Sequence, residues 1–220
     1  VRDNHDLFIV SRQSLLQLSA MALSAYQQKI VLNLARSFIR DALQRTSRVL
    51  WGEQDPILKQ PAGCFVSLHA LQGHDLRGCV GRIDASQPLL EALRSASNQV
   101  LHDPRFANDP VRLNELPRLL IEVSVLSPPV PVTSPLDFQP LEHGIFLTIG
   151  NRTGCFLPQV ARETGWTREQ LLERLCSEKL GLPFNSWRNP QAVLHVFSVL
   201  VIGPEPFEPA AVGSNLKTLG

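Results

Sequence analysis

The chain has 220 residues, 44% of them apolar and 19% charged, a composition that fits a folded globular protein and excludes a disordered chain. A formal net charge of +1 gives no general attraction to nucleic acid or to anionic membranes. The longest apolar run, residues 193–202, falls far short of a membrane span and contains His195 and Ser198.

Near the N-terminus, residues 7–10 form an apolar run too short for a signal-peptide core, followed by Ser11, Arg12 and Gln13. A cytoplasmic location is therefore expected, with Cys64, Cys79, Cys155 and Cys176 as reduced thiols. Residues 1–24 read as an extension with a short helical piece over 15–23. The first firm element is a helix over residues 25–44: Val31, Leu34, Ala35, Phe38 and Ala42 share one side at helical spacing, and Lys29, Arg36 and Arg40 share another, read as a solvated face. A loop with Pro56, Pro61 and Gly63 leads to CFVSLH, residues 64–69. With a second extended run over 76–83 and the turn-like Gln72-Gly73-His74-Asp75 between them, this predicts a hairpin. A helix is expected over 88–101, capped by Ser86 and stopped at Asp103-Pro104-Arg105-Phe106.

Leu119, Ile121, Val123 and Val125 alternate with Arg118, Leu120, Glu122 and Ser124, the pattern of a strand with one apolar face. Residues 145–149 predict another strand, followed by a turn over 150–154. Thr167 and Gln170 form a capping box for the next helix, which buries Leu171, Leu172, Leu175 and Cys176 and stops at Gly181 and Pro183. Residues 193–202 are apolar on both faces, as in a central strand. After Gly203, residues 204–220 contain Pro204, Pro206 and Pro209 and read as a disordered tail. The elements sum to an α+β fold, one domain over 25–203.

Cys64, His69, His74 and Cys79 are spaced like metal ligands, but an odd separation within a strand sends Cys64 and His69 to opposite faces, and no C-x-x-C pair is present, so no metal is expected. The G-x-S-x-G, H-E-x-x-H, G-x-x-x-x-G-K-[ST] and G-x-G-x-x-G patterns are absent, which weighs against the common hydrolase, zinc-protease, nucleotide and dinucleotide classes. What remains is LRGCVG, residues 76–81. Gly78 and Gly81 around a thiol permit special backbone geometry or close approach of a ligand, and a guanidinium beside a thiol, here Arg77, favours the reactive thiolate. Arg77 and Cys79 share a strand face only where no bulge intervenes.

GCFVSLH, then LRGCVG, DPRF, LIEVSVLSPP, FLPQVARETGW and a Trp-containing segment after LGLP occur in an order that resembles the AMMECR family, whose prokaryotic members are also called AmmeMemoRadiSam system protein A. The resemblance covers about residues 25–203, and the family's hallmark carries Ile where this chain has Val80. It implies a mainly antiparallel sheet flanked by helices and two unequal lobes with a cleft between them, the hallmark lying near that cleft. It carries over Arg77, Gly78, Cys79 and Gly81, with His69, Asp103, Arg105, Phe106 and Gln159 as secondary candidates. No enzymatic activity and no cofactor follow from it; a Memo-type protein and a radical SAM protein are the implied partners.

Two functions are open at this point. In one, the chain is a recognition or substrate-presenting subunit in which Arg77 and the glycine backbone hold an anionic group. In the other, Cys79 is a nucleophile or covalent carrier, with His69 across the hairpin as its base. Nucleic-acid binding through Lys29, Arg36, Arg40, Arg45 and Arg48 is weaker: aromatic content is 6% and no stacking module is present.

Overall fold

The computed structural model describes residues 23–46 and 54–208; the helical piece expected at 15–23 lies almost wholly outside them. Helix α1 (Ala25–Gln44) starts at a capping box, with Ser24 Oγ accepting from the Gln27 N–H at 3.2 Å and Gln27 Oε1 accepting from the Ser24 N–H at 3.0 Å, and it stops where Arg45 turns left-handed at φ 56°. Val31, Leu34, Ala35 and Phe38 are buried. The basic side is solvated only in part, with Lys29 exposed. Arg36 is buried, bonding Glu205 Oε2 at 3.1 Å and the Pro206 carbonyl at 2.8 Å, and Arg40 pairs with Glu208.

The predicted hairpin forms from β1 (Gly63–Ala70) and β2 (Leu76–Arg82). Helix α2 (Leu89–Gln99) follows, then one 3-10 turn over Val100–His102. Ser86 does not cap α2: its hydroxyl donates to Asp84 at 2.6 Å, Pro88 holds the N-cap position, and the Leu89 N–H donates to the Gln60 carbonyl. Strands β3 (Leu119–Leu126), β4 (Val130–Pro131), β5 (His143–Ile149) and β6 (Arg152–Phe156) come next. The five-residue turn expected over 150–154 is shorter, because Arg152, Thr153 and Gly154 already pair with β5. Helix α3 (Pro158–Thr164) precedes α4 (Arg168–Arg174), whose Thr167–Gln170 capping box is present and which widens into a π-turn over Leu175–Leu180 before Gly181 turns left-handed at φ 62°.

Strand β7 (Ala192–Pro206) is central, and longer than the sequence pattern suggested. It does not end at Gly203. A shift in register against β3 at Ile121/Val123 accommodates Gly203 at φ +96°, after which Glu205 and Pro206 pair with Ile121 and Leu120. Phe207 is fully buried, so the expected tail does not begin at 204; residues 209–220 lie outside those described.

The antiparallel sheet runs β2-β1-β3-β7-β5-β6, with β4 paired to β7, and curls into a half-barrel. A larger hydrophobic cluster joins α1 and α2 to β1, β3 and the end of β7; a smaller one joins α3 and α4 to β5 and the start of β7. Between these unequal halves lies a cleft of about 400 Å3, lined by Ile83, Asp84 and Ala85 from one side and by Pro129, Phe146 and His195 from the other. No helix among the described residues is long and apolar enough to cross a membrane.

Candidate functional site

Strand β2 is the outer strand of its edge, so alternate residues turn their peptide groups away from β1 with nothing to pair them. Cys79, opposite Ser67, is one of these. Its N–H donates to Asp103 Oδ2 at 2.9 Å, and its carbonyl accepts from Arg105 Nη2 at 3.1 Å. Two side chains of the DPRF segment thus stand where a further strand would be. Asp103 also caps the turn Pro104–Phe106, accepting from the Arg105 N–H at 3.0 Å and from Arg105 Nε and Nη2 at 3.0 and 2.6 Å. The hydrogen bond from the Arg105 side chain is the main reason that the Asp103 carboxyl is held well below the usual carboxylate range; burial opposes it, and the N–H groups of Cys79 and Arg105 reinforce it.

The glycines are required by packing. A Cβ on Gly78 would lie 2.8 Å from the Val100 carbonyl oxygen, and one on Gly81 would collide with the Cys64 carbonyl and lie 2.6 Å from Cγ of Phe65. The space around both is filled by the protein itself, so the close ligand approach expected there has no room.

Arg77 departs furthest from its expected role. Leu68 pairs with Gly78 while His69 pairs with Leu76, which leaves Arg77 as the extra residue of a bulge. Its guanidinium turns from the thiol to Glu115, at 2.7 Å from Nε to Oε1, and to Asp109, at 3.2 Å from Nη1 to Oδ2. Two carboxylates neutralise it, so it is not free to hold an anion. The guanidinium next to Cys79 is that of Arg105, held charged chiefly by its hydrogen bond to Asp103, with the Cys79 side chain adding to the effect. Phe106 lies between the two guanidiniums, 5.7 Å from Arg77 and 5.8 Å from Arg105.

The register places Cys79, Ser67 and Glu122 in one row across β2, β1 and β3, on the face opposite the one that packs Cys64, Val66 and Leu68 against the helices. Opposed residues in such rows stand about 5 Å apart at Cβ. By the same pairing this face continues through Ser124, Val201 and Phe197 to His195 and Phe146, the wall of the cleft. Burial pushes the Glu122 carboxyl up, and His69, in the adjoining row, acts in the opposite direction. His69 is therefore placed with Glu122; its Nδ1 stands 3.3 Å from the His74 carbonyl oxygen, and its register partner is Leu76, not Cys79. Gln159 lies at the start of α3 in the other half, its Oε1 buried without a partner. Of the thiols, Cys64 and Cys176 are fully buried, and burial pushes Cys64 up to about 12. Among the described residues no group of three or more His, Cys, Asp or Glu is placed to hold a metal.

Sequence reasoning thus missed Ser67 and Glu122. The signal was present in the alternation of β3, which puts Glu122 on the face away from Leu119 and Ile121, and it needed only the β1–β3 register to bring Glu122 to the thiol's row.

Comparison with known proteins follows the same outline. The family model described as AMMECR1 matches residues 32–202. A protein of Thermococcus gammatolerans is 35% identical over 80% of this chain and 90% of its own length, and one of Methanopyrus kandleri is 33% identical over 83% and 91%. The crystal structure of an uncharacterized protein of Pyrococcus horikoshii, PH0010, is similar at a TM-score of 0.68 and 32% identity, covering 78% of this chain and 88% of that one.

Proposed function

Because the chain belongs to the AMMECR1 family, whose described relatives carry no stated activity, we propose a function from the site itself: a substrate-presenting subunit that uses Cys79 as a covalent carrier. The carrying observation is the row formed by Cys79, Ser67 and Glu122 on the cleft-side face of the sheet, with the Cys79 peptide clamped by Asp103 and Arg105. A nucleophile is useful when its backbone cannot drift, and the clamp fixes it. In the loading step Cys79 Sγ attacks an electrophilic carbon of the substrate. An S–C bond forms, the bond from that carbon to its leaving group breaks, and the thiol proton passes to the departing group through solvent. Release is the reverse transfer onto an acceptor.

Anion recognition through Arg77 is the weaker reading, since Glu115 and Asp109 already occupy that guanidinium. The partners implied by family resemblance, a Memo-type protein and a radical SAM protein, would load or collect the carried group. The test is intact-mass analysis of the tagged protein isolated gently from its native host with both neighbours expressed. The expected result is a thiol-labile adduct mapping to Cys79 and absent from Cys79→Ser, while the variant still co-purifies with a partner. Unmodified protein under those conditions, or an adduct elsewhere, would overturn the carrier reading.

A further inference from the structure

A cavity of about 570 Å3 is distinct from the cleft. It lies between the end of the β1–β2 hairpin and residues 109–119. Three cations and two anions line it: Arg77, Arg112 and Arg118 against Asp109 and Glu115. Both anions are bonded to Arg77, which leaves no acidic partner for Arg112 or Arg118 among the described residues. These two arginines are not on a loose loop. Arg112 stands at the head and Arg118 at the end of one 3-10 segment, closed by the Glu115 N–H on the Arg112 carbonyl at 3.0 Å and tied to the hairpin by the Leu71 N–H on the Arg118 carbonyl at 2.8 Å. The wall adds the amides of Gln72 and Asn114 and the apolar Leu71, 43% exposed.

From this arrangement we infer that the pocket is a binding site for a small organic anion, an oxyanion group on a partly apolar body, gripped by Arg112 and Arg118. The volume is that of a metabolite site, which spans roughly 300 to 1,000 Å3. Guanidiniums present planar forks that match a carboxylate or phosphate. Asn114 and Gln72 supply further hydrogen bonds, and Leu71 covers the apolar part. The site is independent of the Cys79 carrier reading: Arg77 contributes to its wall only as a closed ion-pair network.

The full chain, labelled with 15N, is titrated with inorganic pyrophosphate and, separately, with phthalate, an apolar-bodied dicarboxylate, and amide shifts are followed. Saturable shifts at residues 70–72 and 112–119 with a Kd at or below about 1 mM are expected. They should weaken at least about tenfold in Arg112→Gln/Arg118→Gln, and by a smaller factor in Arg118→Lys, which keeps the charge and loses the fork. Both arginines are exposed, and the variants' melting temperatures report whether the fold is intact. Pyrophosphate alone binding assigns a phosphate ester, phthalate alone a carboxylate. No saturable shift with either probe, or equal binding by the double variant, overturns the site.

Discussion

At the scale of single residues, Asp103 is a carboxylate buried to 3% side-chain exposure and tolerated because every lone-pair direction is answered, by Cys79, by the Arg105 amide and by the Arg105 guanidinium. Asp103→Asn would set an amide against those donors. Its folded-state value is depressed, so its contribution is full above the unfolded value of about 4 and is lost as the pH falls through the folded value. At pH 7 the variant should be less stable by about 1 to 2 kcal/mol, a modest figure because Arg105 is half exposed. The gap between denaturant melts of the two proteins should narrow as the pH falls from 4 to 2, and a gap as wide at pH 2 as at pH 7 would remove this carboxylate from the account. Glu122 has the opposite sign. Burial raises it, so ionisation opposes folding as the pH climbs through the unfolded value toward the folded one. Glu122→Gln should raise the melting temperature at pH 7 by roughly 2 °C and leave it unchanged at pH 4. The residue alphabet alone could not separate these roles: Arg77 and Arg105 are both arginines near Cys79, and only the bulge at 77 and the turn at 103–106 decide which reaches it.

At the scale of elements, local signals were legible wherever the determinant is local. The period of α1, the capping box of α4 and the hairpin were all readable, because caps, turns and amphipathic spacing are written within a few residues. Where tertiary partners decide, the sequence misleads. Prolines 204 and 206 suggested a tail, yet a proline tolerates a strand at positions that need no N–H, and Phe207 enters the larger core while its N–H donates to the Leu119 carbonyl at 2.8 Å. Arg36, drawn as a surface cation, is buried for the same reason: its partners, Glu205 and Pro206, belong to that segment. Phe207→Ala should therefore cost about 3 to 5 kcal/mol and lower the melting temperature by roughly 10 °C. Ending the chain after Gly203 should cost at least as much. Scanning calorimetry decides the matter, and a change of under two degrees in either protein would mean that the segment's burial contributes nothing to stability.

For the molecule as a whole, the question is whether two hydrophobic clusters make two folding units. They share a strand: β7 lays Leu194 and Val196 in the smaller cluster and Ile202 in the larger, pairing with β5 along its first half and with β3 along its second. No linker separates the halves, and the face that carries Cys79 runs unbroken across β7 to the cleft wall at His195 and Phe146. Opening one half would strip one side of β7 and leave backbone groups unpaired along its length. The two clusters should therefore unfold in one transition. In a Trp51→Phe background the remaining indoles, Trp166 and Trp187, both pack with the smaller cluster, so their fluorescence reports that half while far-UV circular dichroism reports the whole. Leu93→Ala, a cavity at a fully buried position in the larger cluster, should cost about 2 to 5 kcal/mol. It should move the fluorescence midpoint as far as the dichroism midpoint, with an unchanged dependence on denaturant. Were the indole signal to hold its wild-type midpoint while dichroism shifted, the halves would be separate units, and the clamp at Cys79 could open without disturbing the opposite wall of the cleft.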